Sequence, residues 1–149
     1  MARQKKAFTV VELLLIVLFL GIFAVIAVPR LRFTALYGKQ ADADARKIVT
    51  DLRRTRTLAI SNAVTHPDGY MLEVTGSSSY RISIINGAIV DTLTIDSTIT
   101  CIDGTEFRFG PLGNPQQPGS GTQLTVAAGG KSFMITITSA TGAVKCQEN

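Results

Sequence analysis

The sequence predicts an α+β protein in which a long N-terminal α-helix, transmembrane at first and then amphipathic, packs on a small antiparallel β-sheet or sandwich domain. Three observations predict it. An apolar run with a single acid fills residues 8–28, apolar residues then recur at helical spacing to about residue 63, and past residue 70 the period falls to two. With 149 residues, 46% of them hydrophobic and 17% charged, the chain is long enough for one core and too apolar to be disordered.

The net charge of +4 is concentrated at the start, because Arg3, Lys5 and Lys6 face no acid within the first seven residues. Residues 8–149 hold twelve bases against eleven acids, so the bulk is not that of a strongly basic nucleic-acid-binding protein. One His and two Cys are too few for a zinc site, and no metal or cofactor is expected.

The first element is the run from Phe8 to Val28, 21 residues with Glu12 as their only charge. As a helix it spans roughly 31 Å, the thickness of a bilayer core. The basic residues before it place the N-terminus in the cytoplasm and the rest of the chain outside. Three readings compete: a signal peptide cut near Val25-Ile26-Ala27, a plain anchor, and a helix stored in the membrane until it joins an assembly. Glu12 weighs against the first two, since a carboxylate at the bilayer centre costs about 2.5 to 3.5 kcal/mol with no return.

The stretch Ala7-Phe8-Thr9-Val10-Val11-Glu12-Leu13-Leu14, after a short basic leader, resembles the processing motif of type IV pilins and type II secretion pseudopilins. The resemblance implies that prepilin peptidase cuts between Ala7 and Phe8 and that the new amine of Phe8 is methylated. Ala7 stands where the family usually has Gly. Glu12 matches the family's acidic fifth position and Pro29 its helix-kinking proline. A carboxylate in an apolar bundle must be paired or protonated, and cleavage creates a cationic amine in the same layer. Glu12 can meet that amine on a neighbouring subunit, the assembly reading, or on its own chain four residues away.

The second element is an amphipathic helix, continuing the first over residues 29–63, with Ala45, Ile48, Val49, Leu52, Ala59 and Ala63 on one face. Asp42 with Arg46, Asp44 with Lys47 and Asp51 with Arg54 are spaced as stabilising pairs. Gly38 interrupts the pattern and marks a bend or a melted turn. Residues 30–61 carry eight bases against three acids, which makes Arg53, Arg54 and Arg56 a candidate face for an anionic partner such as DNA or lipid headgroups. The competing reading is a solvated helix face, and no aromatics interleave with these arginines to stack bases.

After the break at His66-Pro67-Asp68-Gly69, eight strands are expected, at residues 71–75, 80–85, 89–95, 98–102, 105–109, 123–127, 132–138 and 143–146. Asn86-Gly87 is a hairpin signal, and the Gly- and Pro-rich run over residues 110–123 is a loop. Phe107-Arg108-Phe109-Gly110-Pro111-Leu112-Gly113, then Ile135-Thr136-Ile137 and Thr141-Gly142-Ala143-Val144, are similar to the C-terminal half of the GspH/FimT family of minor pseudopilins and minor pilins. Some FimT-type members end in an arginine-rich segment linked to DNA uptake, whereas Lys145 is here offset by Glu148.

Cys101 and Cys146 both fall in the part placed outside the cytoplasm, where an oxidised pair is the natural reading and two buried free thiols the alternative. A bridge would close about 45 residues and contribute roughly 4 kcal/mol. His66 beside Pro67 has no partner for nucleophilic chemistry, so no enzyme is expected. Asp103-Gly104-Thr105-Glu106 is a weak calcium signal.

The expectation is thus a pilin-like subunit: a leader over residues 1–7, a transmembrane and filament-core helix over 8–28, its amphipathic continuation over 29–63, and a periplasmic antiparallel β-domain over 64–149. The resemblance implies a structural minor subunit of a type II secretion pseudopilus or a type IV pilus, held as a single-pass protein of the bacterial inner membrane before assembly. Its partners would be prepilin peptidase, other pilins or pseudopilins, and inner-membrane lipid; DNA is not expected. The alternatives are a DNA-binding minor pilin and a simple membrane-anchored periplasmic binding domain.

Overall fold

Thr9 opens the first helix. In the computed structural model, which describes residues 9–27, 33–116 and 120–149, the Thr9 hydroxyl accepts the backbone N–H of Glu12 at 3.3 Å and its carbonyl accepts the N–H of Leu13. Thr9 is therefore an N-cap, and Glu12 at the third helical position completes a capping-box pattern. The helix, α1, runs over Val10–Ala27. It is apolar all round, and every side chain from Val10 to Val25 is exposed.

The structure overturns two expectations. Among the described residues no helix is long and apolar enough to cross a membrane. This overturns the single-pass inner-membrane placement. Nor, among the described residues, is there one long N-terminal helix: α1 and the second helix, α2 (Phe33–Ser61), are two elements, and the chain divides into two units, residues 1–33 and 34–149. Pro29, the expected kink, lies outside the described residues, as do Ala7 and Phe8.

The fold is α+β and rich in sheet. Eight strands follow α2: β1 (Tyr70–Gly76), β2 (Ser79–Ile84), β3 (Ile89–Thr94), β4 (Thr98–Cys101), β5 (Glu106–Phe109), β6 (Gln123–Ala128), β7 (Lys131–Ile137) and β8 (Val144–Glu148). All lie within two residues of the expected ranges. They form two antiparallel sheets, ordered β3-β2-β1-β5 and β4-β6-β7-β8. Period two shows in the burial: Phe107 and Phe109 point inward around Arg108, and Phe133, Ile135 and Ile137 around Met134 and Thr136. Asn86 adopts a left-handed φ of 57°, although the loop it serves spans four residues between β2 and β3 rather than two.

One core joins α2 to both sheets. Ala41, Ala45, Ile48, Leu52 and Ala59 from the helix meet Leu72, Tyr80, Ile82 and Phe107 from the first sheet and Leu124, Val126 and Ile135 from the second. Each has an exposure of at most 1%. The turn at Gly38 is not melted, since α2 continues through it. A Cβ there would stand 2.8 Å from the Lys131 side chain, so this glycine admits a neighbour instead of breaking the helix.

Candidate functional site

Of the three expected ion pairs on α2, only Asp42–Arg46 forms, at 2.9 Å. Asp44 and Asp51 are seven residues apart and so share the buried face. Asp44 accepts both the backbone N–H (3.0 Å) and the hydroxyl (2.6 Å) of Ser97, and Asp51 accepts the Tyr80 hydroxyl at 2.7 Å. Burial, and then the bond to Asp51, push the Tyr80 pKa well above the usual tyrosine range. Lys47 donates to the carbonyl of Thr94 instead of pairing with Asp44.

At 100° per residue Arg53 and Arg56 lie within about 60° of each other and Arg54 stands apart from them, and each has its own acceptor: Arg53 the Val144 carbonyl at 3.3 Å, Arg54 the Asp91 carboxylate at 3.0 Å, Arg56 the Gly113 carbonyl at 2.9 Å. They tie α2 to β8, to β3 and to the 110–116 loop. At the last of these sites Gly142, with φ 67°, approaches so closely that a Cβ would stand 2.2 Å from the Gly113 carbonyl oxygen.

The expected disulfide is also corrected: Cys101 and Cys146 are free thiols. In register Cys101 faces Leu124, Leu124 faces Ile135 and Ile135 faces Cys146, so the two cysteines end one row across the second sheet. Three strand spacings separate them, roughly 14 Å, where a bridge needs Cα atoms within about 7 Å. Burial raises both thiol pKa values, helped by Asp103 at Cys101 and by Asp42 at Cys146.

Neither Asp103 nor His66 builds a reactive centre. Burial alone would raise the Asp103 pKa, but hydrogen bonds from the Thr122 hydroxyl and the N–H groups of Gln123 and Thr122 outweigh it and hold the group below its usual range. Both its oxygens are thus engaged in pinning the start of β6. Among the described residues no cluster of three His, Cys, Asp or Glu could hold a metal. His66 lies within hydrogen-bonding distance of Thr65 and Tyr70 and stacks edge-on against the Tyr70 ring at 5.6 Å.

A groove of about 970 Å³ lies between α2 and the edge strand β8. Gly38, Lys39, Asp42, Arg46, Val49, Thr50 and Arg53 form the helix wall, with Lys131 and Phe133 of β7 and Cys146 and Glu148 of β8 opposite. Nothing in the sequence reading pointed to it, because its walls come from segments about 100 residues apart. The signals were the polar stripe of α2 at helical spacing and a short polar strand at the chain's end. Compared with known family models, curated proteins and solved structures, the chain matches none.

Proposed function

We propose that the chain is a structural subunit rather than an enzyme, and that it assembles through its N-terminal helix with like subunits into a filament of the pseudopilus or pilus kind. The observation that carries this is α1: apolar on every side and exposed from Val10 to Val25, it offers far more apolar surface than a free-standing element sustains. The processing motif around Ala7 and Phe8 supplies the second support, with prepilin peptidase as the partner that releases the Phe8 amine.

Glu12 tests the reading because its two roles separate chemically. As a capping-box residue it needs only a polar side chain, which Gln provides. As the counter-ion of a partner's amine it needs the negative charge. Glu12→Gln should therefore leave α1 helical and lower the ratio of filament to unassembled protein at matched expression. N-terminal sequencing and intact mass should show a chain starting at methylated Phe8. Full assembly of Glu12→Gln would confine Glu12 to capping, and a chain starting elsewhere would remove the filament reading.

A further inference from the structure

We propose that the free edge of β8, with the groove beside it, takes an extended acidic segment of a partner protein as a fifth strand of the second sheet. The backbone phase sets which groups are available. Asn149 N–H donates to Ser132 O and Thr138 N–H to Ala143 O, so residues 143, 145, 147 and 149 turn their backbone groups toward β7. Val144, Cys146 and Glu148 must then turn theirs outward at the edge of the sheet. Of these outward groups only the Val144 carbonyl is engaged among the described residues, by Arg53. An edge of this kind is a template for strand addition.

Charge decides what the added strand carries. The groove holds Lys39, Arg46, Arg53 and Lys131 against Asp42 and Glu148. Asp42 pairs with Arg46 and Glu148 with Lys131, which leaves Lys39 and Arg53 without a carboxylate among the described residues. These two stand 14 residues apart on α2, roughly 21 Å, at opposite ends of the groove. Six residues of extended chain span about 20 Å, and an even separation keeps both side chains on one face. The fitting segment therefore has acids six residues apart, with small side chains between them beside Cys146. A second copy of this chain would bring two more unpaired cations into the same trough. Phosphates of a nucleic acid would answer the cations and leave the strand edge unused.

This edge acts independently of α1, so the proposal stands or falls apart from the filament reading. The probe is a nine-residue capped peptide of Thr, Val and Ser with Glu at its second and eighth positions, titrated onto the full chain. Comparison peptides carry Lys at those positions or one Glu moved by a single residue, and a thymidine oligonucleotide of equal charge is the polyanion arm. The acidic peptide should bind about tenfold tighter than either comparison peptide, as two half-exposed ion pairs allow. It should also slow both alkylation of Cys146 and exchange of the Cys146 and Glu148 amides. Lys39→Glu with Arg53→Glu should abolish the preference, and Lys39→Glu alone should halve it on a logarithmic scale without touching a folded contact. Equal binding of the lysine peptide, tighter binding of the oligonucleotide, unprotected amides, or pairing of β8 with a second copy would each overturn the proposal.

Discussion

The two faces of α2 carry the same residue types and put them to opposite uses. On the inner face Asp44 and Asp51 are almost fully buried and each holds a distant element: Asp44 the β3–β4 turn through Ser97, Asp51 the middle of the first sheet through Tyr80. On the outer face Asp42 meets Arg46 one turn away, with side chains 41% and 75% exposed. The difference teaches that an aspartate's place on the wheel, rather than the base three or four residues along, decides its partner. A buried carboxylate must satisfy its oxygens where water cannot reach, so it takes whatever donor the core presents. An exposed one loses little by pairing locally.

The comparison predicts a steep gradient in stability. Its largest effect is expected at Asp51 and Tyr80, where removing either partner strands the other in the core. Asp51→Ala and Tyr80→Phe should each lower unfolding free energy by about 3 kcal/mol in denaturant titrations. The double variant should cost clearly less than their sum. Tyr80 also gives an alkaline signature. Its folded pKa is raised, so its contribution is complete below the unfolded value near 10 and is lost as pH rises beyond it. Wild type should therefore lose stability above pH ~10 more steeply than Tyr80→Phe. At Asp44, Ala should cost about 2 kcal/mol, since it leaves the buried Ser97 hydroxyl and N–H without their acceptor. If these variants cost no more than surface changes, the two faces are energetically alike and the contrast fails.

The same contrast explains what was legible in the sequence. Strand positions were readable because β-branched and aromatic residues alternate in a sheet with one buried face, as at Phe133, Ile135 and Ile137. The apolar stripe of α2 was readable for the equivalent reason at period 3.6. Partner choice was not, since Asp44–Lys47 and Asp51–Arg54 satisfy the spacing rule as well as Asp42–Arg46 does, and only the tertiary burial of two of them separates the cases. Strand order was hidden too. It takes the order β4-β6-β7-β8 to reveal that Cys101 and Cys146 lie at opposite edges and that β8 leaves a groove beside α2. Thr9, three residues before Glu12, was a legible capping signal that the charge of Glu12 overshadowed.

On the outer face the expected effects are small. Asp42→Ala should change unfolding free energy by no more than about 0.5 kcal/mol, since it removes one exposed pair at a spacing of four. Raising salt should shrink even that difference. A cost near 2 kcal/mol would mean that the groove wall is integral to the core and that the faces of α2 are less distinct than their burial indicates.

The smallest effect concerns the two edges of the second sheet. A bridge between Cys101 and Cys146 would stabilise by roughly 4 kcal/mol, whereas free thiols make the folded chain indifferent to reductant. Thermal unfolding with and without a phosphine reductant should therefore superimpose, and thiol titration of the denatured, unreduced protein should find two groups. Cys146→Ser should stay within about 0.5 kcal/mol of wild type, because the side chain is exposed on the groove wall and Ser preserves its size. The result carries structural weight beyond the cysteines. To bond across the sheet the two residues would have to cross the spacing that β6 and β7 occupy, so an intramolecular bridge requires β8 to leave β7 and lie beside β4. Loss of both thiols with a lower melting temperature on reduction would thus refute the strand order itself, and with it the free β8 edge, the groove, and the outer face of α2 that lines it.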